Sequence, residues 1–372
     1  MQNRPSRQRQ TTIGLLPLLA GVQIIAALVF IPIALKGNAD FRQYYAGGLM
    51  MRTGFRSQLY DIEKEWQVED SIASWHSAQV LPVNHPAYEY LLFAPLTLFT
   101  YRTAYLIWLG INIGILGTCL RLLLRYCDAW LLAALVVGFA PIGTLLMHGQ
   151  DSLLLLLLFL IALGQSDFRS GLLVGLGAFK VHIVLPVLIL YMLWRRWKFA
   201  AGFFISAGTA ALVSISLVGI PGSLAYAHSV SATKTFRIGV MPNLHGALEV
   251  VLGNPGLAGV ISLLISGIVL WFASRLRPSL ETALIVLPLT SYYLMVHDLV
   301  ILLIPLALSI RRSWAAVLQF TLPVCGLFPF AAWFVGLPSL AMLWEKSRRG
   351  MSCSELEAGN LDPRYARSEG TT

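Results

Sequence analysis

Apolar runs recur along this chain from Ile13 to Trp344, separated by short polar strings, basic pairs and Gly or Pro breaks. The first, Ile13 to Leu35, is about 23 residues, enough to cross a bilayer with some tilt. Others lie at roughly 103–124, 129–147, 152–164, 171–181, 183–194, 199–219, 256–273, 279–296, 299–310, 314–330 and 332–344. Several are shorter than the ~20 residues of a free span. Short pieces are expected to be broken helices lining a cavity, or re-entrant pairs, because irregular backbone survives at membrane depth only when protein buries it. The pattern predicts an all-α polytopic membrane protein with about 12 transmembrane helices (10–12). It reads as one membrane domain over 1–350, a first outer loop at 36–88, and a polar tail at 351–372 expected to be disordered and cytoplasmic.

Composition agrees. Hydrophobic residues make up 57% of the chain and mean hydropathy is +0.71, a surface that water would not solvate. Basic residues then orient the spans. Arg4, Arg7 and Arg9 precede the first run, and clusters follow at Arg121/Arg125, Arg169, Arg195/Arg196/Lys198, Arg275/Arg277, Arg311/Arg312 and Lys346/Arg348/Arg349. Placed inside by the positive-inside rule, they put both termini in the cytoplasm; the expected location is the bacterial plasma (inner) membrane. The first run is too long for a signal-peptide core and is read as an uncleaved helix. The net charge of +9 is scattered between spans, so it reflects this bias and no nucleic-acid surface is expected. The four cysteines avoid the long outer loop and imply no disulfide framework.

All seven histidines then fall on the outer side. The outer edges carry His148-Gly149-Gln150-Asp151, Lys180-Val181-His182, Asn243-Leu244-His245 and His297-Asp298, while the loops add Asp40, His76, His85 and His228. Ionisable groups at a membrane edge are candidates for function. Asp40 opens the first outer loop and admits two readings, a helix N-cap or a base for a hydroxyl substrate. Residues 59–75 predict a surface helix lying on the membrane, and Pro86 and Pro95 bracket a short outer or re-entrant helix.

Asp40-Phe41-Arg42-Gln43-Tyr44-Tyr45 after the first span resembles the polyprenyl-phosphate-mannose-dependent membrane mannosyltransferases, glycosyltransferase family 87. Leu59-Tyr60-Asp61, the string LLFAPL, Gly149-Gln150, Gly175 through Lys180 to Pro186, NLHG at 243–246 and His297-Asp298 continue the resemblance in order. His85-Pro86-Ala87 departs from the family's Tyr-Pro-Pro, and His297-Asp298 from the two histidines of some members. The resemblance implies a GT-C fold, a sugar carried on polyprenyl phosphate, an extracytoplasmic site and a catalytic Asp at the position of Asp40.

The chemistry of the residues fits that implication. Asp40 would take the acceptor's proton, and a single base with direct displacement inverts the anomeric carbon. Lys180, inside an apolar run, and Arg42 would meet the leaving phosphate. His297 and Asp298 would orient Asp40 or bind sugar, and Asn243 and His245 would bind hydroxyls of donor or acceptor. Tyr44, Tyr45, Gln150 and Asp151 complete the expected sugar and acceptor contacts, with His148 beside them. No histidine or acid cluster has a clear metal spacing, so the sequence assigns no cofactor and leaves the metal requirement open. Expected partners are the lipid-linked donor, a glycan or glycolipid acceptor and membrane lipids. A lipid-linked-sugar transporter or flippase, a polysaccharide ligase or an assembly scaffold are the rival readings.

Overall fold

Runs rich in Leu, Ile and Val bury their backbone polar groups best as helices, and every regular element among the described residues is helical. A computed structural model of the chain describes residues 7–72, 82–232, 241–321 and 333–349. The tail, His76 and the polar ends of two loops lie outside those residues.

In chain order, α1 (Arg7–Ala34) leads to three short helices, α2 (Phe41–Arg52), α3 (Ile62–Ile72) and α4 (Ala87–Phe93). The long α5 (Tyr101–Leu123) follows. Next come α6 (Ala129–Gly138) and α7 (Ala140–His148), two halves of one run bent by 59° ahead of Pro141. The chain continues through α8 (Ser152–Ala162), α9 (Asp167–Leu176), a 3-10 turn at Gly177–Lys180, α10 (Val181–Leu193) and α11 (Trp197–Ala232). Then come α12 (Leu244–Leu252), α13 (Pro255–Ser274), α14 (Leu280–Ile285) and α15 (Leu287–Thr290). A 3-10 segment, Val296–Leu302, runs into α16 (Leu303–Ser309), followed by α17 (Trp314–Thr321) and α18 (Trp333–Arg349).

Four stretches among the described residues are long and apolar enough to cross a membrane: Tyr101–Leu123, Asp167–Leu193, Trp197–Val230 and Pro255–Ser274. Their outward side chains are what lipid requires: Leu212, Ile220, Leu263 and Leu264 are each more than 60% exposed.

Asp167–Leu193 does not cross as one rod. A straight helix of that length would be about 40 Å long. Yet Arg196 Nη1 reaches Asp167 Oδ2 at 3.1 Å, and Tyr191 stacks on Phe199 at 3.8 Å. The chain therefore turns back at Lys180, whose φ of −114° and ψ of 65° break the helix. The arms of this hairpin correspond to the two short segments expected at 171–181 and 183–194. Arm α9 lies against α11 with no room between their backbones. A Cβ on Gly171 would stand 2.0 Å from the Phe199 carbonyl oxygen. Gly171→Val should push the two helices apart and cost about 1–3 kcal/mol, the usual range for overpacking, read as a lower thermal midpoint in detergent.

Ion pairs mark one end of the bundle. Arg311 meets Asp128, Lys346 meets Glu281, and Ser309 Oγ donates to Glu281 Oε1 at 2.6 Å. The opposite end gathers the polar strings.

There the described parts of the segment at 36–88 fold onto the bundle as α2, α3 and the start of α4. Helix α3 turns Glu65 and Glu69 inward and leaves Glu63, Asp70, Ile62 and Trp66 exposed. Glu69 Oε2 pairs with Arg42 at 3.0 Å, and Glu65 Oε2 accepts the Val83 N–H at 3.0 Å. Burial pushes Glu65 up to about 8, against the opposing pull of the Val83 N–H. The folded protein thus holds a proton that the unfolded chain releases above the ordinary carboxylate range. This contribution to stability is fully present below about pH 4.5 and is lost as pH rises to about 8. Glu65→Gln keeps an oxygen for Val83 and carries no charge. It should flatten the decline in melting temperature between those pH values and raise stability at pH 8 and above.

Candidate active site

Asp40 occupies the residue before α2, yet its side chain does not cap that helix. Its φ of −63° and ψ of −22° are helical rather than the extended values of a capping residue. The carboxylate turns instead toward the loop between α7 and α8. Gln150 Nε2 donates to Asp40 Oδ2 at 2.7 Å, and His148 Nδ1 lies 3.3 Å from the same oxygen. Burial alone would raise its pKa. His148, His297 and the Gln150 amide together outweigh burial and hold the carboxyl well below the usual carboxylate range. Asp40 keeps 18% and His148 27% of its side-chain surface open, so the carboxylate stands at a mouth.

The loop that meets it is fixed from behind by α5. Trp108 Nε1 donates to the Gly149 carbonyl at 2.8 Å, Asn112 Nδ2 to that of Gln150 at 3.1 Å, and Tyr105 Oη to that of Met147 at 2.7 Å. Gly149 has φ +65° and sits against the Phe41 Cβ, a place only glycine fills without strain.

One layer deeper lies a charge cluster. Lys180 Nζ, from the hairpin tip, contacts Asp151 Oδ1 at 3.0 Å and Asp298 Oδ1 at 2.9 Å. Ser152 Oγ donates to Asp298 Oδ1 at 2.8 Å, and the Met295 N–H to Oδ2 at 3.1 Å. Tyr44 Oη donates to Gln150 Oε1 at 2.9 Å and lies 3.2 Å from Asp151 Oδ1. His182 Nε2 and His297 Nε2 approach Asp298 at 3.8 and 3.7 Å. Four polar strings far apart in the chain, at 40–44, 148–152, 180–182 and 297–298, thus form one network.

Of the expected site residues, Asp40, Tyr44, Gln150, Asp151, Lys180, His297 and Asp298 come together here. Four others are used elsewhere. Arg42 is buried against Glu69 and ties α2 to α3, so it is not directed at a phosphate. Tyr45 packs on Phe41 and Tyr101 and donates to the Phe99 carbonyl at 2.8 Å. Asn243 caps α12 by accepting the Gly246 N–H and clamps the Ser291 and Tyr292 carbonyls with its amide. His245 stacks on Tyr292 and faces Ser262 and Glu249 beside a small separate cavity. Lys180, expected to meet the leaving phosphate, has its ammonium between two carboxylates.

Two residues escaped the sequence reading. His85 was expected to be only a loop residue, and Glu89 was not singled out. His85 Nδ1 lies 2.7 Å from Glu89 Oε2, and its Nε2 lies 3.3 Å from Tyr44 Oη. Burial lowers His85 to about 4, so its imidazole is neutral at neutral pH. The His-x-x-x-Glu spacing across the start of α4 was the available signal.

The model of glycosyltransferase family 87 matches residues 85–297, more than half the chain. The match begins at His85 and ends at His297, so Asp40 precedes it and Asp298 follows it by one residue. Neither a curated protein nor a solved structure matches.

Proposed function

The chain belongs to glycosyltransferase family 87, and from that premise we propose that it moves a sugar, mannose by the family resemblance, from a polyprenyl-phosphate donor to a glycan or glycolipid acceptor. The protein is a membrane glycosyltransferase, and the finer reading rests on its site. The single observation that carries it is the uncapped, partly open Asp40 carboxylate aimed at the Gln150–His148 loop. A carboxylate so placed can accept the acceptor's hydroxyl proton while that oxygen attacks the anomeric carbon. The anomeric carbon–phosphate oxygen bond breaks, the lipid phosphate leaves with the electron pair, and the configuration inverts. His182 and His297, which approach Asp298 at 3.8 and 3.7 Å, would donate to the phosphate oxygens.

The basic end of the bundle supports a cytoplasmic placement for that end by the positive-inside rule, and hence an extracytoplasmic site with both termini inside the plasma membrane. A donor in the outer leaflet would present its sugar at that depth, with its chain between the leucine-rich helices.

Purified protein in lipid would be offered radiolabelled polyprenyl-phosphate-mannose or GDP-mannose with a membrane extract as acceptor. Label is expected to pass from the lipid donor alone, giving a product of inverted anomeric configuration. Transfer from the nucleotide sugar, or retention of configuration, would overturn the reading. Movement of the lipid donor between leaflets without transfer would favour a flippase.

A further inference from the structure

Beside the Asp40 network, His85, Glu89 and Asp151 place their ligand atoms all within 4.8 Å of one another. All three residues are buried, and they come from the entry to α4 and the loop before α8. Three features bear on what holds them together. Glu89 Oε1 and Asp151 Oδ2 are both buried and accept from no N–H or hydroxyl donor, so the two carboxyl groups have only each other. Asp151 spends its other oxygen on Lys180 and Tyr44, which leaves Oδ2 as the open ligand. With Glu89 ionised, Glu89, Asp151 and Asp298 would set three negative charges against the single ammonium of Lys180, so the cluster must take up either a proton or a cation. A lone buried acid oxygen is costly, and two facing acids more so.

We propose that His85, Glu89 and Asp151 bind one divalent transition-metal ion, with the Tyr44 oxygen beside them as a fourth donor. One imidazole and two carboxylates suit Zn²⁺ or Mn²⁺ better than Mg²⁺ or Ca²⁺, which prefer oxygen alone. Donors bound at about 2.0–2.2 Å around one ion sit roughly 3–4 Å apart, which the observed spacing accommodates with small side-chain shifts. A double positive charge cancels the excess of the cluster. The ligands of the ion are all buried while Asp40 is partly open, so the ion serves to hold its ligands. It fixes Asp151, and through the adjoining Gln150 it fixes the amide that donates to Asp40. The site is a positioning site. A proton shared between Glu89 and Asp151 is the competing arrangement, since burial and Asp151 push Glu89 well above the usual carboxylate range without an ion.

The test uses full-length protein with its affinity tag removed, stripped with EDTA in detergent, then offered ZnCl₂ or MnCl₂ and desalted. Elemental analysis should find about one ion per chain, and the melting temperature should rise on adding the metal. Glu89→Gln should retain at least roughly tenfold less metal and show no such rise. Wild type that rebinds neither metal would overturn the proposal in favour of the shared proton. Equal retention by Glu89→Gln would overturn it by placing the ion elsewhere. Should that variant fail to fold, Co²⁺ loaded into the wild type decides. Visible d–d bands that Zn²⁺ abolishes support the site, and their absence overturns it.

Discussion

Asp40→Asn is expected to lower sugar transfer by about 10²–10⁴-fold while leaving the fold intact, the usual range for loss of a general base. The substitution preserves size and an acceptor oxygen for the Gln150 amide at 2.7 Å, but it cannot take a proton. The carboxylate is not part of the buried Lys180 cluster and does not cap α2, so few structural contacts are lost. The check is a transfer rate measured beside a thermal melt. The rate should fall with KM for the lipid donor little changed, because the lost interaction belongs to the transition state. Wild-type transfer by Asp40→Asn would remove Asp40 from the mechanism and shift attention to His148 and His297. The low pKa of Asp40 adds a second expectation. The acid limb of the rate should not reflect protonation of Asp40 within the usual carboxylate range, because the neighbouring histidines and amide keep it ionised there.

How much of this was legible in the sequence depends on the range of the interaction involved. Helix class follows from local apolar runs, and the return at Lys180 from a charged string too costly to leave in lipid. Positive charge predicts Asp40, Gln150, Lys180 and His297 on one side, and in the fold their strings meet. Spacing could not decide whether Asp40 caps α2 or serves as a base, because both readings place the residue at the same position. The direction of its side chain decides between them. Nor could spacing reveal where long side chains find partners. Arg42 looked like a phosphate ligand until Glu69, 27 positions on, proved to hold it at 3.0 Å. Asn243 looked like a sugar contact, but both ends of its amide are spent on backbone. His85 and Glu89 went unread because the third member of their cluster, Asp151, lies 62 residues beyond Glu89.

Lys180→Met should be the most damaging single change in stability. The methionine matches the stem of the lysine but removes the charge between Asp151 and Asp298, two side chains at most 1% exposed. Asp298 would then be buried with no cation in contact, and Asp151 would lose its ammonium partner. Breaking a buried pair by removing one partner costs about 3–5 kcal/mol, a large share of the roughly 5–15 kcal/mol of a typical native state. Asp298 retains the Ser152 hydroxyl and the Met295 N–H, and Asp151 the Tyr44 hydroxyl, but neutral donors do not replace the ammonium. Asp298→Asn alone should cost less, since Lys180 keeps Asp151. The double variant Lys180→Met with Asp298→Asn should be more stable than the sum of the singles implies, because one stranded charge has gone. Unfolding of the four proteins in detergent measures that coupling. A lysine serving mainly to meet the donor phosphate gives the opposite pattern: melting unchanged, additive effects, and a raised KM for the lipid donor. The cycle therefore separates a lysine that holds the site together from one that binds the substrate.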